Sequence, residues 1–246
     1  MTKALLALAI SAALEYGLDP GLFCRLVERE SDWDARAETV SSVGLCQINV
    51  EAWNWRPRDP FDPIDNLSKG ASILAWNMAY RGDMDDAEAL AVASYTMGHG
   101  AVNKLLARHG KRWRSHLSRP VRDYVEAIVE RSNYTLEALE SDHWTLVQPM
   151  DLWSYQRGDC WIVGDYGPFQ LFAEGKNFEE ARDEFCRILI ECAEHADERA
   201  VLFGEWLRRC DAITGQSGQV IATEMDEQSV TNLRTGCTQD NQGGVG

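Results

Sequence analysis

The feature that most constrains the fold is a change of hydrophobic period near residue 140. Before it, apolar residues return every three or four positions, the spacing that lines one face of a helix. After it they come in short runs carrying Trp144, Trp161, Val163, Phe169 and Phe172 between Gly and Pro turns, the pattern of strands. Helices are predicted over residues 3 to 16, stopped by Gly17 and Pro20, and over 21 to 31, where Leu22, Phe23, Leu26 and Val27 form a stripe. A loop from Asp34 to Asn49 and a turn-rich stretch from Arg56 to Pro63 precede further helices near 65 to 80, 86 to 97, 100 to 109 and 120 to 138. Strands follow near 143 to 148, 159 to 164 and 168 to 173, then helices near 177 to 195 and 197 to 211. The expected class is α+β overall. An all-α domain covers residues 1 to 138, a small α+β domain covers 139 to 212, and the Gly, Gln, Thr and Asn rich stretch 213 to 246 reads as a disordered tail.

Charge narrows the partners. The 24 basic and 39 acidic residues leave a net charge of −15, which opposes the counterion release that drives nucleic-acid binding, so no nucleic acid is expected. Residues 104 to 122 are a local exception, with Lys104, Arg108, Lys111, Arg112, Arg114, Arg119 and Arg122 and no carboxylate. That stretch is either a solvated helical face or a surface that meets an anionic polymer. The seven cysteines show no CxxC spacing and read as small buried hydrophobes whose thiols stay reduced, so neither a zinc site nor a disulfide scaffold is expected. No metal and no cofactor are expected. Met1 to Ala13 runs unbroken into Leu14 to Gly17 as one amphipathic helix, and so is not read as a signal peptide. No run reaches the ~18 apolar residues that span a bilayer.

One carboxylate stands out. Glu30 lies three residues after Val27, four after Leu26 and seven after Phe23, where the apolar stripe calls for another core residue, while Glu28 faces away. A carboxyl group held against an apolar wall is desolvated, its pKa rises, and it keeps a proton to donate near neutral pH. Spacing alone leaves a salt-bridged structural role open. Asp59 and Asp62 read as turn and capping residues, and His99, between two glycines, as incidental. Trp33, Trp53, Trp55 and Trp76 read as core, except that Trp53 or Trp55 has the flat face needed to stack on a sugar.

Five short motifs surround these residues in order: Glu30-Ser31 with Trp33-Asp34 and Ala37; Gly44-Leu45-Cys46-Gln47-Ile48; Asp59-Pro60-Phe61-Asp62-Pro63 with Asn66 and Gly70; Tyr95-Thr96-Met97-Gly98-His99-Gly100; and Tyr124-Val125. Their order over about residues 5 to 130 resembles the soluble lytic transglycosylases, a branch of the lysozyme-like superfamily. Cys46 stands where that family has Met, Thr96 where it has Asn, and the loop from Ala37 to Gly44 is shorter. The resemblance implies an all-α lysozyme-like domain acting on bacterial peptidoglycan glycan strands, with Glu30 catalytic and Ser31, Gln47, Tyr95, Thr96 and Tyr124 binding substrate.

It further implies cleavage of the MurNAc–GlcNAc β-1,4 bond with formation of 1,6-anhydroMurNAc, which needs a single carboxyl group because the sugar's own C6 hydroxyl is the acceptor. A goose-type lysozyme-like hydrolase and a non-catalytic glycan-binding or virion structural module stay open as alternatives. The C-terminal part resembles no family; docking to a larger assembly, binding wall polymer and restraining the active site are its three candidate roles. An enzyme of this kind acts at the bacterial cell wall, in the periplasm, and the lack of a recognised export signal suggests delivery within a virion or a secretion apparatus.

Overall fold

The computed structural model describes residues 2–82, 84–129, 134–136, 139, 144–146, 150–166, 171–194 and 207–209. Six α-helices lead among these. Helix α1 (Lys3–Glu15) is capped by Thr2, and α2 (Pro20–Ser31) starts at Asp19, whose carboxylate accepts from Leu22 N at 2.5 Å. Helix α3 (Pro63–Arg81) begins with the same Asp-Pro device, Asp62 accepting from Ile64 N at 2.9 Å, so the sequence reading of Asp62 as a cap holds. Helices α4 (Ala87–Met97) and α5 (His99–His109) are broken apart at Gly98, whose φ of +77° suits glycine. A 3-10 turn (Gly110–His116) leads to α6 (Arg119–Val129). The loop expected between α2 and α3 contains a small hairpin, β1 (Ser42–Val43) with β2 (Ile48–Asn49).

The sixth helix does not extend to residue 138, because Tyr134–Leu136 is a strand, β3. Its Tyr-Thr-Leu sequence favours extended backbone, and β3 pairs antiparallel with the start of β5 (Met150–Arg157), a strand the sequence reading did not contain. Between them in sequence lies β4 (Trp144–Leu146). After β5 come β6 (Cys160–Asp165), β7 (Phe172–Gly175) and α7 (Phe178–Glu194). The four-stranded sheet is antiparallel in the order β3-β5-β6-β7, with β5 and β6 joined by the two-residue turn Gly158-Asp159. A further correction concerns the helix expected over 197 to 211. Leu207–Arg209 is a strand, β8, which pairs with β4 and so satisfies its backbone across the ladder. Residues 195–206 and the expected tail 213–246 lie outside the described residues.

The chain forms two compact units, residues 1–136 with 150–189, and residues 137–149 with 190–246. In the first, helices and sheet share one core: Trp153, Tyr155 and Ile162 belong to the same buried cluster as Phe23, Leu26, Leu45, Leu74, Leu90 and Trp113. In space β5 and β6 complete the core of the helices. The second unit contains the β4–β8 ladder, with Trp144 opposite Arg209 and Leu146 opposite Leu207. Among the described residues no helix is long and apolar enough to cross a membrane.

Candidate active site

Helix α2 places Glu30 one residue before its end. Phe23, Leu26 and Val27 of the same stripe are fully buried, and Glu30 is half-buried where that stripe reaches the surface. Burial pushes its carboxyl pKa up to about 6, against the opposing effect of Tyr124 on α6, whose hydroxyl donates to Oε1 of Glu30. Glu28 points the other way, with Oε1 3.2 Å from Arg157 Nε.

The segment Gly44–Gln47 is held by Asn66 and Tyr95. Asn66 is fully buried at the first turn of α3; it accepts from Cys46 N at 2.8 Å and donates to the carbonyls of Val43 and Pro60 at 3.0 and 3.1 Å. Three loop segments are thereby tied through one side chain. Gly70, one turn along, lets Cys46 lie directly on the helix, since a Cβ there would overlap the sulfur. Tyr95 on α4 donates to the Cys46 carbonyl at 2.8 Å. The thiol of Cys46 is buried, and both burial and Glu30 push its pKa up, while Glu30 acts in the same sense on Tyr95 and Tyr124.

The other expected site residues fall as follows. Gln47, in the left-handed region at φ +46°, donates its amide to the carbonyls of Ala37 and Gly44 at 3.0 and 2.9 Å, so it closes its own loop. Ser31 donates back to the carbonyl of Val27 at 3.2 Å. Thr96 is exposed on α4, beside Tyr95 in sequence. Asp59 accepts from Phe61 N at 2.9 Å, the turn role read from the sequence. His99, read as incidental, is instead ringed by Trp76 and Tyr80, and Trp76, read as core, is 49% exposed.

Sequence reasoning missed the brace behind α2. The helix ends in two successive left-handed residues, Asp32 (φ 51°) and Trp33 (φ 64°), a backbone that non-glycine residues adopt only when their surroundings fix it. Strand β5 supplies the fixing contacts. Trp33 Nε1 donates to Tyr155 Oη at 2.9 Å, and Arg157 Nη2 donates to Asp32 Oδ1 at 2.5 Å while its Nε faces Glu28. At the other end of α2, Gly21 lets the strand approach so closely that a Cβ would overlap the Ser154 carbonyl, and Arg25 donates to the carbonyls of Ile128 and Ser154 at 2.8 and 3.2 Å. A cleft of about 570 Å³ opens on this side, lined by Arg25, Glu28, Asp32, Ser154, Gln156 and Trp161 among others; Glu30 is not among its lining residues. Nothing local in the sequence marks Tyr155 or Arg157, because their partners lie more than a hundred residues away.

No solved structure matches the chain. Residues 7–117 match the family described as Transglycosylase SLT domain, a span that includes Glu30, Gln47 and Tyr95 and stops short of Tyr124 and the sheet. Over residues 7–117 the chain is therefore similar to the transglycosylase SLT domain family.

Proposed function

We propose that the protein is a peptidoglycan lytic transglycosylase that cuts the MurNAc–GlcNAc β-1,4 bond and leaves a 1,6-anhydroMurNAc end. The SLT domain supports a lysozyme-like, glycan-cleaving activity at the cell wall. The observation that carries the finer reading is the setting of Glu30, half-buried at the end of an apolar stripe with Oε1 held by the Tyr124 hydroxyl. Among the described residues no carboxylate is hydrogen-bonded to it. Glycosidases that use a nucleophile or an activated water generally employ two carboxyl groups about 5 to 9.5 Å apart. One carboxyl group suffices when the substrate brings its own acceptor.

In this scheme protonated Glu30 donates to the bridging oxygen as the bond to C1 breaks, and the resulting carboxylate then takes the proton of the C6 hydroxyl as that oxygen closes on C1. The proton count closes within one turnover. Tyr124 holds Oε1 throughout and stabilises the ionised half of the cycle. In this reading the Cys46 segment, tied by Tyr95 and Asn66, and the exposed Thr96 bind the sugar.

The test is digestion of purified sacculi with the full chain, followed by mass spectrometry of the released glycan. Anhydro ends weigh one water less than reducing ends. Anhydro products that vanish with Glu30→Gln support the reading, and reducing ends in their place would assign the hydrolase instead.

A further inference from the structure

A row of aromatic rings runs along the outer side of α3, and the chemistry at Glu30 uses none of it. Trp76 and Tyr80, one turn apart, are 49% and 52% exposed, with ring centroids 5.8 Å apart. Trp53, from the loop after β2, meets Trp76 edge-on at 5.6 Å, and His99 at the start of α5 lies edge-on to Trp76 and Tyr80 at 4.5 and 4.3 Å. Polar donors border the rings. Lys69 Nζ sits 5.3 Å from the Trp53 centroid, and the Asn103 amide donates to Tyr80 Oη at 3.2 Å.

The row is rigid by construction. His99 Nε2 bonds Asn77 Oδ1 at 2.7 Å, and since Arg81 Nη2 can only donate, Nδ1 of His99 is the acceptor, at 3.4 Å. Asn77 and Arg81 are buried, and Arg81 also donates to Ser94 and to Asn103. Burying a guanidinium and an amide is costly unless they are bonded, and here those bonds hold the His99 ring, against which Trp76 and Tyr80 lie edge-on. Rings already held lose little freedom when a ligand arrives.

The row also shares its supporting elements with the Glu30 site. The segment from Cys46 to Trp55 lies on α3 at Gly70 and again at Trp76, about 9 Å further along the helix axis. Helix α4 carries Tyr95 against Cys46 and turns at Gly98 to bring His99 into the row. We propose that Trp76, Tyr80 and Trp53 form a distal sugar subsite of the same groove, which stacks a pyranose ring of the glycan strand away from the bond being cut. This rests on the reading of Glu30 as a glycan-cleaving centre. A pyranose offers one face of C–H bonds to an indole or phenol ring and hydroxyls at its rim, where Lys69, Asn103 and the Tyr80 hydroxyl stand. An aliphatic partner helix would need an apolar rim instead.

The test compares wild type, Trp76→Ala, Tyr80→Ala and Trp76→Phe in the full chain on two substrates, uncrosslinked glycan strands and a single tetrasaccharide. Both alanine variants are expected to raise KM on long strands roughly three- to tenfold and to lose at least about threefold more on strands than on the tetrasaccharide, while Trp76→Phe, which keeps a ring at that position, stays close to wild type. Equal losses on both substrates, or none, overturn the proposal. Calorimetric titration of Glu30→Gln, with and without Trp76→Ala, against N-acetylglucosamine hexamer separates the two readings. A chain that cuts nothing yet binds the hexamer through Trp76 sinks the cleavage reading and keeps the subsite; normal cutting with hexamer binding indifferent to Trp76 sinks the subsite alone.

Discussion

The hydroxyl of Tyr124 donates to Oε1 of Glu30 across 94 residues of sequence, from α6 to the end of α2. A donor to the ionised form lowers a carboxyl pKa, so this bond works against the burial that lifts Glu30 to about 6. Tyr124→Phe should therefore raise the Glu30 pKa further and move the alkaline limb of the pH–rate profile to higher pH. The maximal rate should fall about tenfold, because a charge-assisted bond of roughly 1.5 kcal/mol is lost when Glu30 is ionised. A limb that stays put or moves to lower pH would count against the bond as the controlling contact.

Glu30 also links pH to stability. Its folded pKa lies above the ordinary value of 4.5, so the folded chain binds more protons than the unfolded chain between about 4.5 and 6. Stability then falls as pH rises through that window, by about 2 kcal/mol in all. Glu30→Gln, which never ionises, should be the more stable protein at pH 7.5 by up to about 2 kcal/mol and equal to wild type near pH 4, while its rate drops about 10²- to 10⁴-fold. Urea melts at the two pH values check this; a variant no more stable at 7.5 would show that burial does not strain the carboxylate.

Arg157→Ala should lower stability by about 1 to 3 kcal/mol, since it removes the contacts of one half-buried guanidinium with Glu28 and Asp32. Glu28→Gln keeps the shape and should cost less than half of that. The alkaline limb set by Glu30 should not move in either variant, because neither touches its carboxyl group. Thermal melts together with pH–rate profiles separate this from a direct catalytic role.

Truncation after residue 138 should give a chain that melts without cooperativity and does not clear a suspension of sacculi. It lacks the strand that accepts the hydrogen bonds of Trp33 and Arg25 and that packs Trp153 and Tyr155 into the helical core. Residues 1–189, which hold the whole first unit, should fold and cut. A fragment of residues 1–138 with full activity would show the sheet to be dispensable.

The position of Glu30 was legible because a helix repeats every 3.6 residues, and three buried neighbours on one stripe reveal which way the fourth must face. The caps at Asp19 and Asp62 were equally local. Strand β5 was hidden because Leu152, Trp153, Ser154 and Tyr155 are all buried, so it shows no alternation to read. Helix α6 read too long because the segment after Val129 carries no proline to end it, and its strand β3 forms only against β5. Gln47 shows a different limit. Its motif marks it as a site residue, yet whether an amide meets substrate or its own loop depends on a left-handed backbone that no spacing announces.

The brace behind α2 also orders events during synthesis. The backbone hydrogen bonds within helices α1 to α6 are local and can form as each segment leaves the ribosome. The left-handed turn after Glu30 acquires its partners only when Tyr155 and Arg157, 122 and 125 residues further on, have been made. A chain released or cut before that point carries all of residues 7–117 but lacks the strand that braces the end of α2. On the proposed reading of Glu30, such a chain would be silent until its first unit is nearly complete.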